Sequence, residues 1–161
     1  AMTYMDFNRE FFTDSPEQTE EVGRELARAF LSDASLPRFV ALFGDLGVGK
    51  TAFVRGFSSV LAPGARVKSP TFALVNEYRA QDKNAPDVFH FDMYRIESED
   101  DLISIGFYDY ADRPGICITE WTENIEYALP DSYYRVEIRK NDLSTPDSRE
   151  IVIELMGGAD K

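Results

Sequence analysis

The sequence predicts an α/β fold with a mixed parallel and antiparallel central sheet flanked by helices. First, "RFVALFG" at 38–44 has the apolar character of a strand buried on both faces, and a glycine-rich loop and a helical pattern follow it. Second, two later pairs of strand-like segments are joined by short turns, which requires antiparallel pairing. Third, 161 residues suit one domain with a sizeable core. We therefore treat 1–161 as a single domain and expect 1–5 and 157–161 to be flexible.

The N-terminal part predicts a strand and a helix before the buried strand. "FNREFF" at 7–12 is typical of a short strand. Ser15 is a suitable helix N-cap, Pro16 suits the first helical position, and Gln18 completes a capping box. Apolar residues at helical spacing then predict a buried stripe, made of Val22, Leu26, Ala29 and Phe30. After the glycine-rich loop, "AFVRGFSSVLA" at 52–62 predicts a second helix.

The remaining segments alternate between strand and helix patterns. In chain order we predict antiparallel strands at 69–80 and 87–96, a helix capped by Ser98 at 98–106, a buried strand at 115–121, a short helix at 122–129, and a hairpin of strands at 133–140 and 149–155. The sequence contains no repeat and no low-complexity linker.

The glycine-rich loop carries the clearest chemical signal. Gly44, Gly49, Lys50 and Thr51 stand in the spacing G-x-x-x-x-G-K-T, between a predicted strand and a predicted helix. Such a loop curls its backbone N–H groups around phosphates, and the helix N-terminus adds partial positive charge. Lys50 is then expected to reach the β- and γ-phosphates, and the Thr51 hydroxyl to bind Mg²⁺. The sequence thus predicts a P-loop NTPase-like fold.

A phosphate-loop enzyme also needs an acid at the end of a second buried strand to hold its Mg²⁺. Two acids occupy such positions, Asp92 after "VFHF" and Glu120 after "GICIT". Composition alone does not choose between them, although the apolar "ICI" run better resembles a central strand.

The charge balance limits the class of partner. The chain has 29 acidic and 17 basic residues, a net charge of −12. Nucleic-acid affinity comes largely from Lys and Arg on phosphates, and no basic run is present. The acids are dispersed, as in "TDSPEQTEE" and "ESEDD", which solvated helix faces explain most simply. The alternative is a steady partner that is a protein with basic patches and not a nucleic acid bound alone. The single cysteine, Cys117, and the lack of a 20-residue apolar run or signal peptide favour a cytoplasmic protein without a membrane contact.

The sequence lacks motifs that are typical of several other classes of nucleotide-binding or metal-binding protein. The chain has no N-K-x-D tetrad for guanine and no long arginine-rich lid of the small-kinase type. His90 is the only histidine, and on an alternating strand it is most simply a packed or hydrogen-bonded structural residue. A His/Cys metal site is therefore unsupported.

Five segments in order give the chain its resemblance to a known family. They are "FGDLGVGKT" at 43–51, "VKSPTFALVNEY" at 67–78, "FHFDMYRI" at 89–96, "IGFYDY" at 105–110 and "ICITEW" at 116–121. Together they resemble the TsaE (YjeE-type) ATPases. Thr122 follows Trp121 where that family often has proline.

The resemblance implies a Mg²⁺-dependent ATPase that assists the TsaB–TsaD pair. That pair forms N6-threonylcarbamoyladenosine at position 37 of tRNAs reading ANN codons, and ATP hydrolysis resets the complex. The implied cofactors are ATP and Mg²⁺, and the implied partners are the TsaD and TsaB proteins.

The resemblance also implies roles for individual residues. Thr51 and Glu120 correspond to Mg²⁺ ligands, Thr71 to a switch threonine near the γ-phosphate, and Asp92 to the residue that positions or activates water. With Lys50 at the β- and γ-phosphates, the expected catalytic set is Lys50, Thr71, Asp92 and Glu120.

Nucleotide contacts follow from the same resemblance. Trp121 is expected beside the nucleotide, Arg149 near the base or ribose, and residues 15 to 19 at the adenine. The expected loop contacts are Gly44, Asp45, Leu46, Gly47, Val48, Gly49, Lys50 and Thr51.

No arginine is clearly placed to act as a finger in cis, which predicts slow hydrolysis alone and stimulation by a partner. The candidates are Arg55, Arg79, Arg95 and Arg113, for each of which a surface role is expected. Two other functions stay open. One is a small phosphotransferase with Asp92 as base, and the other is a nucleotide-sensing module in which hydrolysis is incidental.

Overall fold

A computed structural model describes residues 8–45, 47–67, 74–141 and 145–157. In chain order the elements are β1 (Arg9–Thr13), α1 (Pro16–Ser32), β2 (Phe39–Phe43), α2 (Lys50–Leu61), β3 (Val75–Tyr78), β4 (Asp87–Asp92), α3 (Glu99–Ser104), α4 (Phe107–Ala111), β5 (Gly115–Glu120), β6 (Tyr133–Lys140) and β7 (Arg149–Met156). Two 3₁₀ turns, Thr122–Asn124 and Glu126–Ala128, follow β5.

The strands form one mixed sheet in the order β1-β7-β6-β2-β5-β4-β3. The four central strands, β6, β2, β5 and β4, run parallel to one another. Antiparallel partners complete both sides, with β3 on β4, and with β7 and β1 beyond β6. The predicted α/β fold with a mixed sheet is therefore confirmed, including both predicted antiparallel pairs.

Helices cover both faces of the sheet, so β2 and β5 are buried throughout, as their apolar sequences predict. On one face α1 and α2 enclose a core that includes Leu26, Phe30, Val40, Leu42, Phe53, Phe57 and Tyr134. On the other face the core includes Phe39, Phe43, Phe89, Phe91, Met93, Leu102 and Phe107. Within the described ranges, no helix combines the length and apolarity needed to cross a bilayer.

The two long helices approach each other unusually closely. A Cβ atom on Gly23 would overlap the backbone carbonyl of Phe53, and a Cβ on Gly56 would overlap that of Glu20. The glycines thus let the backbones of α1 and α2 pack directly against each other, which fixes α2 and the loop at its N-terminus relative to the rest of the domain.

Several predicted elements need correction. The strand predicted at 87–96 ends at Asp92, and the strand predicted at 115–121 ends at Glu120. The helix predicted at 122–129 is two 3₁₀ turns, and α4 was missed because its five residues are too few for a periodic pattern.

The start of α1 also differs in detail. The Ser15 hydroxyl caps α1 by accepting from the Gln18 N–H, as predicted, but Gln18 Oε1 accepts from Asp14 N–H, one residue before the cap. The predicted reciprocal half of the capping box is therefore shifted by one residue.

Some predictions concern residues whose structure is not described. These are the flexibility of 1–5 and 158–161, the strand start at 69–73, and the roles of Leu46 and Thr71, all of which lie outside the described residues.

Candidate active site

The carboxyl ends of β2, β4 and β5 meet at one edge of the sheet because these strands run parallel. Asp92 and Glu120 are paired directly in the register of β4 and β5, beside the loop that follows β2. These groups border a cavity of about 290 Å³, lined by Gly47, Gly49, Lys50, Thr51, Asp92, Glu120 and Trp121. All seven were predicted for the site from the sequence, so the fold brings together residues drawn from three separate segments.

The loop backbone has the conformation that its glycines allow. Gly49, which precedes α2, has a φ of 110°, in the left-handed region that side chains rarely adopt. Gly44 has a φ of 144°, and a Cβ there would stand 2.5 Å from the Ile138 carbonyl oxygen and 2.9 Å from Val48 Cγ2. Both positions therefore require glycine. Asp45 and Gly47 are exposed and Val48 is buried.

The Lys50 side chain is held between the loop and Trp121. Its Nζ donates to the Gly44 carbonyl at 2.6 Å and lies 4.2 Å from the centroid of the Trp121 ring, and the residue is only 4% exposed. A carbonyl and a π face bind an ammonium more weakly than a phosphate does. Lys50 is thus placed so that it could exchange these partners for an anion in the cavity.

Thr51 and Glu120 supply hard oxygen donors at the same place. Thr51 lies in the first turn of α2, and Glu120 is buried with Oε2 in a 2.6 Å hydrogen bond to His90 Nε2. A hydroxyl and a carboxylate suit Mg²⁺, which typically takes one or two protein oxygens together with phosphates and water. Among the described residues there is no group of three or more His, Cys, Asp or Glu that could hold a metal alone. The donor set therefore fits a nucleotide-bound Mg²⁺ better than a metal held by protein alone.

Asp92 is a half-buried carboxylate whose Oδ1 accepts from Tyr94 N–H at 2.9 Å. Burial raises the pKa of Asp92, and the charge of Glu120 adds to the shift, while the Tyr94 N–H, His90 and Lys50 oppose it. A carboxylate of raised basicity with one oxygen fixed can accept a proton or hold a water through its other oxygen.

A strained turn carries Trp121 at the end of β5. Trp121 has a φ of 57°, and the Thr122 hydroxyl donates to the Leu42 carbonyl at 2.8 Å and contacts the Thr119 hydroxyl at 2.8 Å. The ring of Trp121 meets Lys50 on one side and the edge of the Tyr94 ring, 5.1 Å away, on the other. Thr122 thus ties this turn to β2 through its side chain.

Arg149 at the start of β7 contacts the loop backbone. Its Nε donates to the Val48 carbonyl at 2.7 Å, and its Nη1 donates to the carbonyls of Pro146 and Ser148 at 2.5 and 2.9 Å. Pro16 and Thr19, from the segment predicted at the adenine, border a small cavity of about 40 Å³ together with Arg149. A contact of Arg149 with the nucleotide stays a prediction, but its bond to Val48 gives it a second way to act, by bracing the loop.

Arg149→Ala is expected to weaken ATP binding roughly 10- to 150-fold, because the loop loses a hydrogen bond to a charged donor, worth roughly 1.5–3 kcal/mol. Trp121 fluorescence during an ATP titration measures this, since Trp121 is the only tryptophan. Arg28→Ala is the matched control, because Arg28 pairs with Glu21 at 3.0 Å on the exposed surface of α1. Equal affinity in the Arg149 variant and the control would contradict a bracing role.

The arginines considered as arginine fingers do not line the 290 Å³ cavity that holds Lys50 and Asp92. Its described lining contains no arginine. Arg55 pairs with Glu20 at 3.1 Å, and Arg113 pairs with Glu77 at 3.2 Å. Arg79 and Arg95 are exposed. The surface roles expected for these residues are consistent with this arrangement.

His90 is buried and hydrogen-bonded, as predicted, but its bond to Glu120 was missed. The spacing in "HFD" places His90 on the same face of β4 as Asp92, which is a usable signal. Identifying its partner required the pairing of β4 with β5, which the sequence does not reveal.

A larger cavity of about 620 Å³ lies at the opposite edge of the sheet, lined by apolar residues such as Leu36, Phe39 and Phe107. Arg38 is the one charged residue in its described lining. Without converging polar groups it lacks the chemistry of the smaller cavity, which we take as the candidate active site.

Comparisons with known proteins agree with the α/β fold described above. A family model described as "Threonylcarbamoyl adenosine biosynthesis protein TsaE" matches residues 13–151. The tRNA threonylcarbamoyladenosine biosynthesis protein TsaE of Bacillus subtilis is 34% identical over 145 residues, covering 90% of this chain and 84% of that protein. The protein of the same name from Haemophilus influenzae is 39% identical over 99 residues, covering 62% of this chain and 61% of that protein.

A crystal structure of Bacillus subtilis YdiB superposes with a TM-score of 0.72 at 28% identity, covering 95% of this chain and 88% of that one. The family match spans the phosphate loop, both strand-end acids and Arg149. The chain belongs to the TsaE family of threonylcarbamoyl adenosine biosynthesis proteins.

Proposed function

We propose that this chain is a Mg²⁺-dependent ATPase that assists the TsaB–TsaD complex in forming N6-threonylcarbamoyladenosine at position 37 of tRNAs reading ANN codons. One observation carries the proposal: Lys50, Thr51, Asp92 and Glu120 line a single cavity at the carboxyl edge of the sheet. Membership of the TsaE family supplies the pathway.

The residues divide the work of hydrolysis between them. The loop N–H groups and Lys50 would bind the phosphates, with Lys50 leaving the Gly44 carbonyl for the β- and γ-oxygens. Thr51 and Glu120 would hold Mg²⁺, which neutralises charge on the phosphates. Asp92, with Oδ1 fixed by Tyr94, would orient the attacking water through its other oxygen. Thr71 is proposed to act near the γ-phosphate.

Partner activation follows from the charge distribution. The described lining of the cavity contains no arginine, and the chain has a net charge of −12. A protein partner with a basic surface would fit such a chain and could supply the missing cation, an effect worth about 10³–10⁵ in rate for arginine fingers elsewhere. Hydrolysis would then reset the TsaB–TsaD complex between turnovers, with tRNA engaged only indirectly.

The test is a steady-state ATPase assay of the chain alone and with a cognate TsaB–TsaD pair. We expect slow basal turnover that requires Mg²⁺ and rises strongly when the pair is added. Lys50→Ala is the control for contaminating ATPases and should remove both activities. A basal rate that the pair leaves unchanged would count against the proposal, and transfer of the γ-phosphate to a metabolite without a protein partner would favour a phosphotransferase.

A further inference from the structure

A chain of hydrogen bonds reaches the buried side of Glu120 from β3. Asn76 Nδ2 lies 3.4 Å from the Tyr78 hydroxyl, which is 3.0 Å from His90 Nδ1. His90 Nε2 lies 2.6 Å from Glu120 Oε2. His90 is fully buried, and Tyr78 and Glu120 are each 5% exposed, so water cannot readily replace any of these bonds.

Donor roles can be assigned at both ends of this series of hydrogen bonds. An amide nitrogen only donates, so the Tyr78 oxygen accepts from Asn76, and the Tyr78 hydroxyl lies within hydrogen-bond distance of His90 Nδ1. A carboxylate only accepts, so His90 Nε2 carries the proton that Glu120 Oε2 receives. The arrangement therefore places a ring proton on His90 Nε2, facing Glu120.

We propose that Tyr78 and His90 are positioning residues for the metal site, holding Glu120 so that its other oxygen, Oε1, can ligate Mg²⁺. The inference rests on the proposed function, in which Glu120 is a Mg²⁺ ligand. A carboxylate with one oxygen held by a buried donor has fewer rotamers to lose when it binds a cation. Such outer partners of metal ligands typically change metal affinity or activity 10- to 100-fold when they are removed.

The tautomer can be observed directly, because His90 is the only histidine in the chain. The nitrogen-15 NMR spectrum of the untagged protein, recorded without nucleotide or metal, therefore shows the imidazole signals of one ring only. We expect a protonated Nε2. An unprotonated Nε2, with the ring proton on Nδ1 alone, would overturn the inference, because His90 could then not donate to Glu120.

The metal site is tested separately by binding rather than by turnover. Mn²⁺ binding to the ADP-loaded protein, followed by electron paramagnetic resonance, is compared for wild type, Tyr78→Phe, His90→Gln and His90→Leu. We expect His90→Leu to weaken Mn²⁺ binding at least 10-fold, and His90→Gln to recover part of the loss because its amide can donate near the Nε2 position. ADP affinity in EDTA, read from Trp121 fluorescence, should stay within about twofold of wild type in all three variants, because these hydrogen bonds act on the metal ligand.

Tyr110→Phe is the matched control, since its hydroxyl also donates to a glutamate, Glu77, at 2.9 Å, outside the cavity. If His90→Leu fails to fold, Tyr78→Phe and the NMR experiment decide, because Tyr78→Phe removes only the hydroxyl. Unchanged Mn²⁺ affinity in folded variants would overturn the inference, as would an equal loss of metal-free ADP affinity. Failure of wild type to bind Mn²⁺ with ADP would instead count against the proposed function.

Discussion

Asp92→Asn is expected to lower ATP turnover by roughly 10²- to 10⁴-fold while leaving nucleotide affinity nearly unchanged, because an amide cannot accept the proton from the attacking water. Asparagine keeps the shape of the side chain and the oxygen that accepts from Tyr94 N–H. Single-turnover hydrolysis and Trp121 fluorescence measure the two quantities. Asp87→Asn is the matched control, because Asp87 accepts from Ala80 N–H at the other end of β4, away from the cavity.

The same substitution should stabilise the folded protein near neutral pH. Burial and the charge of Glu120 raise the pKa of Asp92 above its ordinary 3.8, so the folded state binds the Asp92 proton more tightly than the unfolded state does. Stability therefore falls as the pH rises from about 3.8 through the raised pKa. Urea unfolding at pH 7 should show the variant to be more stable than wild type, and the difference should shrink toward pH 4.

Measuring both ATP hydrolysis and threonylcarbamoylation with the Asp92→Asn variant also distinguishes two possible functions. If Asp92→Asn cannot hydrolyse ATP but still supports threonylcarbamoylation by TsaB–TsaD, nucleotide binding suffices and the chain is a nucleotide-sensing module. If both activities fall together, hydrolysis is part of the cycle. Lys50→Ala should remove both in either case.

Gly56→Ala is expected to destabilise the fold by about 2 kcal/mol. A Cβ at this position would overlap the Glu20 carbonyl, and helix backbones yield poorly, so the overpacking cost of roughly 3 kcal/mol exceeds the gain of about 1 kcal/mol in helix propensity. Because α2 begins at Lys50, separation of α1 and α2 should also weaken ATP binding. Urea unfolding and Trp121 fluorescence measure the two effects.

Ser59→Ala, at an exposed position of the same helix, is the control and should change stability by less than about 0.5 kcal/mol. A Gly56→Ala variant as stable as wild type would show that the helices can separate without cost. In that case the close contact between α1 and α2 would not be what fixes the loop.

The sequence predicted the parts of the fold that have a strong local signal. The apolar "FVALF" strand, the two hairpins and the helix that begins after the glycine-rich loop each carry a pattern of their own, and all are found in the structure. Composition alone left Asp92 and Glu120 as alternatives for the metal ligand, whereas the sheet pairs them side by side. Their proximity depends on the strand order, which short-range patterns do not encode.

The features that the sequence did not predict depend on contacts between distant residues. Gly23 and Gly56 are unremarkable glycines in helical patterns until α1 and α2 are seen to touch at these positions. The Tyr78–His90–Glu120 bonds join three strands. In the same way, the 3₁₀ turns after β5 form where Thr122 bonds to Leu42, 80 residues earlier in the chain.

The bond between Arg149 and Val48 has a consequence for the order of folding. The two residues are 101 positions apart, and Arg149 begins the last strand of the sheet, which pairs with both β6 and β1. Contacts of such sequence separation form late, because a long loop must close first. During synthesis the loop would acquire this support only when β7 docks. The ATP binding proposed above would then stabilise finished chains and not nascent ones.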